Sequence, residues 1–254
     1  MTGDSGVRVG LVFPELLGTY GDRGNAIVIV ERCRRRGIDA EIVEVAAGTP
    51  IPDSLDVYLF GGGEDDPQVM ASAGMRASRD AIDRALGGGS VIFAVCAGFQ
   101  LLGHTYEARG GETLDGLGLV DMTTAAGPSR LIGEVVVEPD ASLGLPILTG
   151  FENHGGRTRL GPAERPLGRV LSGGGNGVDD LDGVLRDHVI GTYLHGPVLP
   201  RNPALADLMI GWVLGRELEP LDDVLVEQLR SERLEAANAT GWRARLRDLR
   251  LNRG

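Results

Sequence analysis

The chain has 254 residues, 36 of them acidic and 25 basic, and a formal net charge of −11. That charge repels nucleic-acid phosphates, and no apolar run approaches the roughly 18 residues of a membrane span, so neither a nucleic acid nor a bilayer is expected as partner. All the basic residues are arginine, which excludes chemistry that needs a lysine: P-loop and kinase-type ATP sites, Schiff bases and pyridoxal phosphate enzymes.

Val7 to Phe13 reads as a buried first strand, followed by a glycine-punctuated loop from Pro14 to Asn25. Helical periodicity runs from Asn25 to Arg36, with Gly37 placed to close it. Strands are predicted at Ala40–Val45 and Val57–Phe60. The loop Gly61-Gly62-Gly63 follows, then one long helix from Pro67 to Leu86, stopped by Gly87-Gly88-Gly89. Val91 to Val95 is the fourth strand. Strands alternating with helices at this spacing imply an α/β fold, a mostly parallel, flavodoxin-like sheet with helices on both faces.

The second half differs. Gly133–Pro139, Pro146–Glu152, Gly168–Ser172 and Val189–Leu194 read as short strands split by glycine-rich turns, of which Gly173 to Gly177 is the clearest. They are expected as antiparallel edge strands or a small antiparallel layer on the same sheet. Helices return at Pro203–Leu214 and from Asp222 to Leu251. Residues 1–254 read as a single domain, with 222–254 as its C-terminal helical extension. From Glu227 onward there are seven arginines and four acids, a net +3 that leaves −14 on the rest of the chain. This basic segment either docks on the acidic body or presents a face to a partner. Cys33 and Cys96 are too few and too far apart for a disulfide framework, and Met1 to Gly6 lacks the regions of a signal peptide, so a cytoplasmic protein is expected. Cys33 lies on a predicted helix and is expected to pack inward. No spacing of His, Cys and acids points to a metal site.

The most informative stretch is 87–103. Cys96 ends the apolar strand, small Ala97 and Gly98 follow, and Gln100-Leu101-Leu102 suits a helix start. That places a thiol on a strained strand-to-helix turn, a nucleophile elbow with Cys in place of Ser. The helix N-terminus is expected to favour thiolate over thiol. Sites in open α/β sheets lie beyond the carboxyl ends of the strands. The 61–63 loop, Cys96, the loop Tyr20-Gly21-Asp22-Arg23-Gly24-Asn25 and His195, after Val189–Leu194, are therefore expected on one edge. Cysteine and histidine within hydrogen-bond reach make a nucleophile pair. Unshielded amides in the 61–63 loop and the amide of Ala97 are candidate oxyanion donors. His104 and His188 are read as structural.

Gly61-Gly62-Gly63, the run Cys96-Ala97-Gly98-Phe99-Gln100-Leu101-Leu102-Gly103 and Tyr193-Leu194-His195-Gly196-Pro197 together resemble a class I glutamine amidotransferase. The closer resemblance is to the cobyric acid synthase-like branch, and within it to the glutaminase subunits of lipid II isoglutaminyl synthases. Their pattern is echoed by residues 20–25, by Phe151-Glu152-Asn153-His154-Gly155-Gly156-Arg157-Thr158 and by Gly191 to Pro197. The similarity runs from about residue 7 to about residue 203. It implies that Cys96 attacks the side-chain amide carbon of L-glutamine and that the Gly62 and Ala97 amides hold the oxyanion. His195 then protonates the departing ammonia and activates water against the thioester. Gln100 is implied to contact the bound amino acid, and Arg130 to fork onto its α-carboxylate.

Many class I enzymes place a glutamate two residues after the histidine. Here Pro197 stands there, as this branch also lacks the acid. Cys96 and His195 then act as a dyad, or another acid orients the ring, with Asp22 and Glu152 as candidates; His154 is expected to shape the pocket. The implied partner is a Mur-ligase-like synthetase in a heterodimer. It uses ATP, handles lipid II and amidates the α-carboxylate of D-glutamate to give D-isoglutamine. No cofactor is expected in this chain, and its lack of lysine fits that division. The alternatives are the glutaminase part of a corrinoid-amidating synthase, a Cys-His hydrolase indifferent to glutamine, and a noncatalytic binding module with a structural cysteine.

Overall fold

Short β-branched and apolar runs build the first sheet. The structure, a computed structural model, describes residues 6–18, 22–107 and 111–238. Strands β1 (Val7–Val12), β2 (Ala40–Val45), β3 (Val57–Phe60) and β4 (Val91–Val95) pair in parallel. Between them run α1 (Arg23–Arg34), α2 (Asp65–Ala77) and α3 (Arg79–Gly87), and α4 (Ala97–Leu101) follows β4. Every residue of β3 and β4 is buried, as strands covered on both faces must be.

The helix expected from Pro67 to Leu86 is two helices. They part at Ser78 (φ −105°, ψ 13°), whose hydroxyl accepts the Ile51 N–H at 3.0 Å and so serves the neighbouring chain.

Eight further strands follow: β5 (Thr105–Glu107), β6 (Thr113–Asp115), β7 (Met122–Pro139), β8 (Leu148–Leu160), β9 (Gly168–Ser172), β10 (Leu181–Asp182), β11 (Val184–Arg186) and β12 (Val189–Thr192). The first sheet has the order β11-β12-β4-β3-β1-β2, parallel except for the antiparallel edge strand β11. The rest make a second sheet, β10-β9-β7-β5-β6 with β8 on β7, rather than a layer on the first. The β7–β8 hairpin is far longer than the short strands read from the sequence, because a register shift between Ala126 and Leu131 bends it past Gly127 and Pro128 without ending the ladder.

Helices α5 (Val198–Arg201), α6 (Pro203–Leu214) and α7 (Val224–Asn238) complete the described chain. α1 packs on α5 and α6, α7 packs on α5, and α2 packs on α4. Phe60, Phe93, Phe99 and Tyr193 are fully buried in one core, each contributing roughly 1.5–3 kcal/mol. Cys33 packs into the same core.

Arg32 of α1 is buried and forks onto Asp207 of α6 (2.6 and 2.6 Å) and onto Asp223 (2.9 and 2.8 Å), fixing the C-terminal elements to the first sheet's helices. The described part of the basic segment docks inward: Leu234 packs on Val136 and Leu171, and Arg230 donates to the Ile147 carbonyl. Helix expected beyond residue 238, and Tyr20 and Gly21 of the first-strand motif, lie outside the described residues.

Candidate active site

Cys96 is the residue between β4 and α4, and its backbone is strained: φ 51°, ψ −106°. Such a conformation costs an L-residue on the order of 1–3 kcal/mol and persists only where the surroundings impose it. Two contacts do so. The Cys96 N–H donates to the Thr192 carbonyl at 2.9 Å, and the Gly98 N–H donates to the Gly61 carbonyl at 3.0 Å. Gly98 must be glycine, because a Cβ there would lie 2.5 Å from the Phe60 carbonyl oxygen. The elbow read from the sequence is present.

β12 lies beside β4 with Thr192 opposite Val95, so Tyr193-Leu194-His195 leaves the sheet next to Cys96. His195 then forms a two-way backbone bridge with Phe151 of β8 (3.2 and 2.8 Å), joining the exit of the first sheet to the second. Arg130 stands within electrostatic reach of both the Cys96 thiol and the His195 imidazole, a smaller influence on each than its burial.

A cavity of about 160 Å³ opens at this edge, lined among others by Gly63, Cys96, Gln100, Arg130, Asn153 and His154. That volume is below the roughly 300–1,000 Å³ of drug-sized sites and suits a single small metabolite. The first sheet supplies the sulfur; the β7–β8 hairpin supplies the opposite wall. Arg130 is held there by Asn153: its Nε and Nη2 donate to Asn153 Oδ1 at 3.0 and 2.9 Å, and Nη2 also donates to the Asn153 carbonyl at 2.9 Å. Gln100 is buried in the wall and donates to the Tyr193 hydroxyl at 3.2 Å, so it is not a solvent-facing helix residue. Tyr193 also bonds Thr158 at 2.6 Å and stacks on His154 at 3.7 Å.

Two expectations change. Gly62 does not line the cavity, although its neighbour Gly63 does: the Gly62 N–H donates to Asp22 Oδ2 at 2.8 Å. The Ala97 amide does point at the thiol, with which it hydrogen-bonds. The thiolate expected from a helix N-terminus does not prevail. Here α4 has five residues, and burial dominates, pushing the Cys96 thiol up to about 12 and His195 down to about 3. Burial thus favours the uncharged form of each, a thiol at Cys96 and an imidazole at His195.

Both candidate acids are engaged with backbone amides. Asp22 holds Gly62, and burial raises its carboxyl to about 6. Glu152 accepts from Gly174 and Gly175 at 2.8 and 3.0 Å and lies 3.6 Å from His154 Nε2. His188 stacks on Trp212 and His104 pairs with Asp121, both away from the cavity. Among the described residues no group of His, Cys, Asp and Glu could hold a metal ion, and no helix is long and apolar enough to cross a membrane. Two residues escaped the sequence reading: Asn153, visible only as part of a motif, and Asp182, visible only as an acid in a glycine-rich stretch.

A CobB/CobQ-like glutamine amidotransferase domain matches residues 8–203. The chain is 35% identical to the lipid II isoglutaminyl synthase (glutamine-hydrolyzing) subunit GatD of Staphylococcus aureus, over 76% of this chain and 79% of that one. It is 30% identical to the subunit of the same name from Streptococcus pneumoniae, over 89% and 90%. A crystal structure of a glutamine amidotransferase superposes with a TM-score of 0.53 at 20% identity, covering 82% of this chain and 99% of that one, which speaks for the fold. The elbow, the adjoining histidine strand and these likenesses agree, and the chain belongs to the CobB/CobQ-like glutamine amidotransferase family, as an enzyme.

Proposed function

We propose that the chain hydrolyses glutamine through a Cys96 thioester and delivers the ammonia to a Mur-ligase-like partner, which amidates the D-glutamate α-carboxylate of lipid II to D-isoglutamine. The carrying observation is the strained Cys96 bonded through its N–H to Thr192, the last residue of β12 and three residues before His195. The lipid II assignment is supported by the relatives' names and by coverage of most of their length. ATP is used by the partner, since this chain has no lysine for the commoner phosphate sites. The reaction takes place in the cytoplasm.

The neutral resting pair sets the order of proton transfers. As the sulfur attacks the amide carbon, the thiol proton passes to His195, and the oxyanion takes up the Ala97 N–H. His195 returns that proton to the nitrogen as the C–N bond breaks and ammonia leaves. Water, deprotonated by His195, then cleaves the thioester, releasing glutamate and restoring the thiol. The end of Arg130 not held by Asn153 receives the substrate α-carboxylate, while Gln100 contacts the amino acid. Ammonia release from glutamine by the chain with its synthetase tests the reading. It should fall to background in Cys96→Ala and in His195→Ala; hydrolysis of other amides or esters with glutamine untouched would assign a glutamine-independent hydrolase instead.

A further inference from the structure

Asp182 is fully buried at the end of β10, in the second sheet, and grips the strand that delivers the histidine. The Thr192 hydroxyl donates to Asp182 Oδ2 at 2.5 Å, and the Tyr193 N–H donates to Oδ1 at 3.3 Å. The Leu194 N–H donates to the same Thr192 hydroxyl oxygen at 3.0 Å. Two successive amides before His195 thus lead to one carboxylate, one directly and one through a hydroxyl. Thr192 also offers its carbonyl to the Cys96 N–H at 2.9 Å, so the residue gripped by Asp182 holds the nucleophile as well.

The site around Asp182 is built to keep it there. Gly183 (φ +65°) follows, and a Cβ on it would lie 2.1 Å from the Gly191 carbonyl oxygen, so the turn abuts β12 directly. Asn176 fixes that turn through its side chain, accepting from Gly183 N at 2.8 Å and donating to Gly183 O at 3.2 Å. Burying a carboxylate is unfavourable unless its lone pairs are satisfied, and an apolar residue would pack here more cheaply. The acceptor pair has a use that an apolar residue cannot supply.

We infer that Asp182 is a positioning residue for glutamine hydrolysis, setting His195 and Cys96 in register through Thr192 and the amides of Tyr193 and Leu194. This rests on the glutaminase reading. An asparagine in its place keeps the shape but has one acceptor oxygen instead of two, so either the hydroxyl or the amide loses its acceptor.

The test uses the full chain with its synthetase, comparing wild type with Asp182→Asn, Thr192→Val and the double variant. Rates are expressed per reactive site, counted by covalent titration of Cys96 with a diazo-ketone analogue of glutamine. The kcat of glutamine hydrolysis should fall 10- to 100-fold per titrated site in each single variant, with KM within twofold of wild type. The double variant should fall no further than the worse single, because both act through one link. Unchanged kcat per site, a change confined to KM, or additive losses would overturn the inference. If Asp182→Asn does not fold, Thr192→Val carries the same comparison alone. Wild type releasing no ammonia from glutamine would overturn the function itself, and this inference with it, an outcome distinct from any variant effect.

Discussion

The two sheets hold the site by different means. In the parallel sheet Cys96 and His195 are placed mainly by backbone, through strand ends, a positive φ and amides bonded to carbonyls, with the Asp182 and Thr192 side chains gripping the approach to the histidine. In the antiparallel sheet Arg130 is placed by side chains, on an exposed stretch of hairpin where Asn153 supports it. Disturbing the groups that make and break bonds lowers kcat. Groups fixed by side chains give graded recognition, which can be weakened without touching the bond-making step.

The largest expected effect breaks the first half of that comparison. Cys96→Ala should lower kcat on the order of 10⁴-fold or more while calorimetry still detects glutamine binding. Loss of binding together with activity would mean that the two sheets do not divide the work. Arg130→Ala should come next, raising KM for glutamine roughly 10- to 100-fold with kcat nearly unchanged, the value of a charge-assisted contact of about 1.5–3 kcal/mol. Asn153→Ala should raise KM about fivefold, near 1 kcal/mol, and should add nothing in an Arg130→Ala background. An additive result would show that Asn153 acts independently of the arginine.

A separate effect, on stability and not on rate, concerns the join between the sheets. Burial pushes Asp182 up to about 7. An acid whose folded pKa exceeds its unfolded one stabilises fully below the ordinary carboxylate range, and that contribution is lost as pH rises through the folded value. Asp182→Asn removes the loss. The melting temperature of the variant relative to wild type should therefore rise by several degrees between pH 4 and pH 7 and then level off, at about 1.4 kcal/mol per pH unit or less. Parallel melting curves over that range would contradict the buried, ionisable state.

Legibility in the sequence followed the same division. β2, β3, β4, β9 and α6 fall at their expected bounds, β3 and β4 because a buried parallel strand leaves an apolar run that glycines punctuate. The elbow was legible because only small residues tolerate the turn after Cys96. The second sheet was read poorly. Between Met122 and Ile132 only Met122 and Thr124 are buried, and the exposed run through Gly127 and Pro128 reads locally as a loop; only pairing with β8 makes it a strand. The Gly62 amide was misplaced for a related reason. Three glycines announce free N–H groups, but the side chain that would claim one, Asp22, lies 40 residues away in sequence. Asp182 likewise gains meaning only through Thr192, ten residues on.

The positive φ of Cys96 implies a tension between durability and reactivity at this one position. Alanine and glycine are equally inert replacements, yet alanine keeps the Cβ that makes the turn uncomfortable and glycine discards it. Cys96→Gly should therefore outlast Cys96→Ala on heating, and the margin between the two melts measures what the fold gives up to hold its sulfur in view.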